Sequence, residues 1–236
     1  MAPNVYAYNA AISACGKAGQ WKRALALLEE MASRGVAPNK FSYSAAITAC
    51  KKGGQWERAL ALLKEMAARG VALNVVSYSA AIETLYAGHQ HDDCCRLYRE
   101  ATAGGLFESV RQGNKLDLHG CSAAVACTIL SCYLHDVRTT PSLALADLTV
   151  VTGKGLGSGE GGPVLVHATR AHLVEIGGPH ITEVPENAGR FVLRKEDVAE
   201  WIQQQAQELR EARHPMEPGF ILRVRNAFRR FWQGRP

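Results

Sequence analysis

Through roughly the first hundred residues the apolar positions recur every three or four places, and from Leu116 onward short alternating runs are interleaved with helical ones. "YNAAISACGKAG" and "YSAAITACKKGG" each carry helical spacing, "GQW" punctuates, and "WKRALALLEEMASRG" predicts a second amphipathic helix ended by Gly35, or by Gly70 in the next copy. Leu25, Leu28 and Met31, with their equivalents Leu60, Leu63 and Met66, are the expected core of the second helices. The later segment reads in order as "KLDLH" strand, "SAAVACTILSCYLHDV" helix, "ADLTVVTG" strand, "GGPVLVHATRAHLVEIG" helix, "HITEVPE" strand, "RFVLRK" strand and "EDVAEWIQQQAQELREAR" helix. That alternation predicts a two-layer α/β domain. Gly120 is placed for a sharp turn, Ser122 for a helix N-cap, and Asn187 to Gly189 for a turn between the last two strands.

The helical pattern is periodic. Residues 4–38 match residues 39–73 at 24 of 35 positions, and a weaker third copy, 74–109, decays after Ile82. A period of this size signals a solenoid of helical hairpins, each of which must stack to bury its stripe. The expected organisation is therefore repeats over 1–110, with 104–115 as a linker, an α/β domain over 114–205, and a helix end and tail over 206–236.

Charge sharpens this division, because Lys and Arg exceed Asp and Glu by 6 over residues 1–74 and by 4 over 214–236, whereas residues 75–213 carry −5. The two ends are suited to a polyanion. In the tail, Phe220, Val224, Phe228 and Phe231 fall on one face of a candidate helix and Arg223, Arg225, Arg229 and Arg230 on the other. Such a helix serves RNA phosphates, an anionic membrane surface or a partner protein, and its sequence does not choose. No apolar run reaches the about 18 residues of a transmembrane segment, and no leader is visible before the first helix. Seven cysteines without CxxC or zinc spacing read as small buried groups in a reducing compartment. His89 and His91 lack two further ligands at metal spacing and read as solvated loop residues.

Two features point to chemistry. Asn9, Ser44 and Ser79 follow the tyrosine of each first helix, where alanine would pack as well, and so read as ligand contacts. Asp117 and His119 alternate with Leu116 and Leu118, which places both polar side chains on one strand face about 7 Å apart along the backbone. They are either a catalytic pair or an exposed pair bonding the neighbouring loop. "VTGKGLGSGEGGPV" can hold phosphate on backbone amides, although its GxGxxG match (Gly157, Gly159, Gly162) lacks a dinucleotide-binding βαβ unit, and Lys154 lacks P-loop spacing; a flexible connector is the alternative.

The first half resembles the pentatricopeptide repeat (PPR) family, on "VYAYN", "KFSYS" and "VVSYS" at the repeat starts, followed by "RALALLEEM" and "RGVAPN". The resemblance implies an α-helical solenoid that binds single-stranded RNA, one base per repeat. Its base-selecting pairs fall on Asn9 with Asn39, Ser44 with Asn74, and Ser79 with Ser109, implying a pyrimidine and then adenine. Tyr6 and Phe41 depart from the family, standing where a smaller aliphatic residue is usual. A tetratricopeptide-like protein-binding scaffold is the competing reading.

Residues 115 to about 202 resemble the Smr (small MutS-related) domain, on L-D-L-H-G, T-G-K-G and G-P-V-L. That family's fold is similar to the C-terminal domain of bacterial initiation factor three. It implies endonucleolytic cleavage, with Asp117, His119 and Lys154 as catalytic residues and Thr152, Gly153 and Gly155 contacting the nucleic acid. Gly157 stands where many members carry histidine. With His119 titrating and Asp117 orienting it, an RNA 2′-OH can act as nucleophile without metal; a Mg²⁺ held in part by Asp117 is the alternative, and no other cofactor is implied. PPR arrays joined to this domain are a plant and algal class, so the resemblance further implies a plastid or mitochondrial setting, with a cytoplasmic one as alternative, and an organelle ribosome or transcription machinery as partner. A non-catalytic RNA-binding or assembly role is the runner-up to cleavage.

Overall fold

A computed structural model of the chain describes residues 4–143, 146–153 and 164–213. Lys154, Gly155, Gly157 and the arginine tail lie outside the described residues. The chain divides into two units, Met1–Phe107 and Glu108–Pro236.

The first unit is a stack of three helical hairpins: α1 (Val5–Lys17) with α2 (Trp21–Ser33), α3 (Lys40–Lys52) with α4 (Trp56–Ala68), and α5 (Val75–Ala87) with α6 (His91–Ala103). Each first helix opens on an asparagine N-cap, Asn4, Asn39 or Asn74, whose side-chain oxygen accepts an orphan backbone N–H of the first turn. Gly35 and Gly70 follow the second helices at positive φ, a conformation in which a Cβ would be strained. Successive first helices pack on one another, α1 on α3 and α3 on α5.

The core stripe of the second helices sits one place from the expected one in a single turn. Leu28, Met31, Leu63 and Met66 are buried, but Leu25 and Leu60 are only half-buried. Ala24 and Ala59 take the fully buried place. The third hairpin is as regular as the others despite its divergent sequence. Cys94, Leu97 and Ala101 stay buried at the places of Ala59, Leu62 and Met66, and the hairpin needs only that stripe.

Within each hairpin a tyrosine of the first helix donates to a glutamate of the second: Tyr8 to Glu30 (3.2 Å), Tyr43 to Glu65 (3.1 Å) and Tyr78 to Glu100 (2.8 Å). Burial, reinforced by the carboxylate partner, pushes the Tyr43 and Tyr78 hydroxyls up to about 12, so they remain donors at any ordinary pH. Between hairpins, the Trp21 ring lies over Gly53 and the Trp56 ring over Gly88. A Cβ on Gly53 would fall 2.2 Å from the Trp21 ring.

The second unit is a five-stranded sheet with helices: β1 (Arg111–Gln112), β2 (Lys115–Asp117), α7 (Ala123–Thr139), β3 (Leu148–Val151), α8 (Val164–Glu175), β4 (Thr182–Glu183), β5 (Arg190–Leu193) and α9 (Lys195–Arg213). The strand order is β1-β2-β3-β5-β4, with β2 and β3 parallel and the other pairs antiparallel. The linker expected at 104–115 is therefore shorter than the sequence suggested. Its end carries a 3₁₀ turn, Glu108–Val110, and strand β1, which turns at Gly113 to pair with β2. Two polar exposed residues, Arg111 and Gln112, gave no apolar signal for that strand.

The remaining elements follow the pattern. Leu116, Leu118, Leu148, Val150, Phe191 and Leu193 supply the sheet's buried face, and Ser122 caps α7 through Val125 N–H. Gly120 turns the chain at φ +81°. Asn187 makes the expected turn before β5, its side chain accepting from Gly189 N–H at 3.1 Å. Trp201 fixes α9 by donating to Gly177 O at 2.7 Å.

Candidate functional sites

At the junction of the first two hairpins, Asn9 of α1 and Asn39 at the start of α3 meet in a closed set of hydrogen bonds. Asn39 Oδ1 accepts from Phe41 N–H (2.9 Å) and Ser42 N–H (3.1 Å), as a helix cap does. Asn9 Nδ2 reaches the same oxygen at 3.4 Å. Ser42 Oγ donates to Asn9 Oδ1 at 2.6 Å and accepts from Asn39 N–H at 3.1 Å. Thus the two residues singled out by their position in the repeat are neighbours, and Ser42, which the sequence reading passed over, joins them. The signal for Ser42 was present as an asparagine cap followed three places later by serine.

The second junction is built differently. Asn74 Oδ1 accepts from Ser77 N–H (2.9 Å), but Ser77 Oγ donates to Asn74 O (2.9 Å) and not across the junction. Ser44 is 8% exposed, and among the described residues its hydroxyl has no hydrogen-bond partner. An orphan hydroxyl in such a place is an unmet demand. Ser79 is half-buried on α5, and Ser109 lies in the 3₁₀ turn of the second unit. Tyr6 and Phe41, the departures from the usual small residues, are 79% and 63% exposed.

In the sheet unit, parallel strands β2 and β3 end side by side, with Asp117 paired to Val151, and the chain leaves both at their carboxyl ends. Asp117 is bracketed there: Lys115 Nζ donates to Oδ2 at 2.8 Å, and the His119 ring nitrogen Nδ1 bonds Oδ1. Burial by itself would raise this carboxyl, but the bonds from Lys115 and His119 overcome it and hold the group at about 2. Asp117 is therefore an anion that can only accept, which makes Nδ1 of His119 the donor and leaves Nε2 for another partner. The His119 side chain is 71% exposed, whereas that of Asp117 is 15% exposed. Gly153, at φ +81°, runs beside His119, and Thr152 is buried with its hydroxyl donated to Gly189 O at 3.1 Å. Lys115 was missed as a site residue, although its place two residues before Asp117 on the same strand face is the signal.

The donor set does not fit Mg²⁺. Both Asp117 oxygens are engaged by cationic or N–H donors, and among the described residues no group of three or more His, Cys, Asp or Glu side chains converges to hold a metal. His89 and His91 pack edge to face at 6.1 Å, and His91 packs against Tyr86. No helix among the described residues is long and apolar enough to cross a membrane.

The PPR repeat family model matches residues 3–52, and the PPR repeat model matches residues 41–71. Residues 3–71 carry PPR repeats. The structure adds the third hairpin, in the same geometry, to those that the PPR models match. No curated protein matches the chain by sequence. Among solved structures, PPR10 in complex with an 18-nt psaJ RNA element aligns over 97% of this chain and 26% of that one, at 17% identity and a TM-score of 0.47. PPR10 from maize aligns over 61% and 24%, at 23% identity and 0.36. The PPR domain of Arabidopsis thaliana protein-only RNase P 1, in complex with tRNA, aligns over 92% and 95%, at 14% identity and 0.46. The chain spans about a quarter of the length of the PPR10 chains it matches.

Proposed function

We propose that this chain binds single-stranded RNA through its PPR repeats and that the sheet unit is an Smr domain that cuts the RNA. The observation that carries the first part is the junction of Asn9 with Asn39. Two amides from consecutive repeats, neither buried, stand within hydrogen-bond reach of each other, where one base edge can meet both. PPR10 and protein-only RNase P 1, whose structures hold RNA and tRNA, agree with this reading. The excess positive charge of residues 1–74 supplies the sequence-independent attraction.

The second part rests on the exposed His119 and its anionic neighbour. With Asp117 holding Nδ1–H, Nε2 of His119 is placed to take the proton of a ribose 2′-OH. The 2′-oxygen then bonds to phosphorus, the bond from phosphorus to the 5′-oxygen breaks, and the leaving 5′-oxygen takes a proton that the His119 imidazolium gives back through water, leaving a 2′,3′-cyclic phosphate and neutral His119. Every proton and electron pair is accounted for without a metal. Asp117 orients the ring and stabilises the imidazolium that forms.

Cleavage of an end-labelled single-stranded RNA, resolved on a denaturing gel, tests the pair. The unaltered chain should give discrete products in EDTA, and His119→Ala should lower the rate by about a hundredfold or more. Intact RNA in every lane, with binding retained, would establish the non-catalytic binding role instead.

A further inference from the structure

We propose that Ser42 is a positioning residue that fixes which edge of Asn9 faces a base, so that base discrimination at the first junction depends on a hydroxyl that need not touch the RNA. The inference rests on the RNA-binding reading above and deepens it.

The argument starts from the helix cap. Asn39 Oδ1 is committed as an acceptor because two backbone N–H groups of α3, from Phe41 and Ser42, point at it. An oxygen so committed repels another carbonyl oxygen and attracts a donor, so Asn9 turns its Nδ2 toward Asn39. That leaves Asn9 Oδ1 on the other side, where the Ser42 hydroxyl meets it at 2.6 Å. Ser42 is fully buried, and its oxygen accepts from Asn39 N–H at 3.1 Å, so its own proton has two acceptors within reach, Asn39 Oδ1 at 3.2 Å and Asn9 Oδ1 at 2.6 Å, and the shorter bond is the one to Asn9. The backbone of one helix thereby sets the amide orientation of a residue on the neighbouring hairpin.

The consequence is a defined pattern of donors and acceptors. Asn39 presents only its NH₂ outward, because its oxygen is spent on the cap. Asn9 keeps one N–H and one lone pair of Oδ1. Without the Ser42 hydroxyl, Asn9 loses the shorter of its two orienting bonds and is held only by the 3.4 Å one to Asn39, so the other edge of its amide becomes easier to turn toward a base.

The second junction is an internal control. Ser77 occupies the equivalent place and makes the same capping bond with Asn74 N–H (3.1 Å), but its hydroxyl proton goes to Asn74 O, and the side chain across the junction is Ser44, which it does not bond. Ser42→Ala and Ser77→Ala therefore remove the same return bond of the capping box, whereas only Ser42→Ala frees a reader.

The experiment measures binding by fluorescence anisotropy of the full chain to short single-stranded RNAs carrying every possible base triplet between fixed flanks, with thermal melting to compare folding. The unaltered chain should discriminate among bases at the position of the triplet that faces Asn9 and Asn39. Ser42→Ala should shrink that discrimination by about three- to tenfold, the worth of one side-chain hydrogen bond, and Ser77→Ala should preserve it. Ser42→Thr, which keeps the hydroxyl, should also preserve it and covers the case in which the alanine variant folds poorly. Equal weakening on all RNAs by Ser42→Ala and Ser77→Ala, with discrimination intact, would overturn the positioning role and leave Ser42 as a cap alone. An unaltered chain that binds none of the RNAs would instead overturn the RNA reading, and this inference with it.

Discussion

The helical unit and the sheet unit each hold polar side chains ready at an exposed edge, by different means. At the first repeat junction the holding is neutral: backbone N–H groups fix Asn39, which fixes Asn9, with Ser42 closing the ring. At the end of β2 the holding is ionic: Lys115 and His119 bracket the carboxylate of Asp117. Neutral amide networks keep their geometry across pH, whereas an ion-paired carboxylate keeps its partners only while it is charged. The first arrangement suits reading a shape of donors and acceptors, and the second suits moving a proton.

That contrast is most strongly tested by breaking the packing between the two hairpins that carry the neutral network. Gly53→Ala puts a methyl group where the Trp21 ring now lies, so the ring must move and the contact between the first two hairpins must loosen. The expected cost is about 1 to 3 kcal/mol, confined to the helical unit and independent of pH. Hydrogen exchange followed peptide by peptide checks this: faster exchange in the first two hairpins with the sheet unit unchanged is the expected outcome. Uniform acceleration through both units would show that the two do not unfold independently.

The ionic site should respond to acid instead. Asp117 titrates at about 2 in the folded protein, below the ordinary carboxyl value of 3.8. A depressed folded pKa means that its contribution to stability is fully present above about pH 4 and is lost as pH falls toward 2. The size is on the order of 1 kcal/mol, as for an ion pair with one partner in solvent. Asp117→Asn should therefore lower the stability of the sheet unit at neutral pH and remove this part of its acid dependence. An unchanged difference between the two proteins from pH 6 down to pH 2 would mean that Lys115 and His119 do not hold the carboxylate in solution.

Much of this architecture was legible from pattern because repetition and alternation are strong signals. The period of 35 announced the hairpins, and Leu116 with Leu118 announced a strand whose other face carries Asp117 and His119. What escaped was set by contacts between elements. Strand β1 is two polar residues that become a strand only by pairing with β2, and Leu25 yields the fully buried place to its neighbour Ala24, a choice made by packing between helices and not by the period alone. The third hairpin looked degenerate because identity was lost even along the stripe, where Cys94 and Ala101 replace the alanine and methionine of the other copies, while those positions stayed buried. Ser42 was missed for a related reason: it serves through Asn9 of the neighbouring hairpin, a partner visible only once the chain is folded, whereas the partner of Lys115 stands two residues away in the sequence.

The smallest expected effect on stability is also the most discriminating. Ser44 is nine-tenths buried at the second junction, with a hydroxyl that no described group satisfies. A buried polar atom without a partner costs stability, so Ser44→Ala should leave the melting temperature unchanged or raise it slightly, by the equivalent of no more than about 1 kcal/mol. An array selected for stability alone has no reason to keep serine there, since Ala46, Ala49 and Ala59 show that alanine packs well in these hairpins. If the orphan hydroxyl is completed by a base, the same substitution should weaken RNA binding while the protein becomes no less stable. Melting and binding measured on one preparation decide it. A variant that loses stability and affinity together would place Ser44 in the packing, whereas stability held and affinity lost would make the second junction a reader whose hydrogen bond is supplied by its ligand.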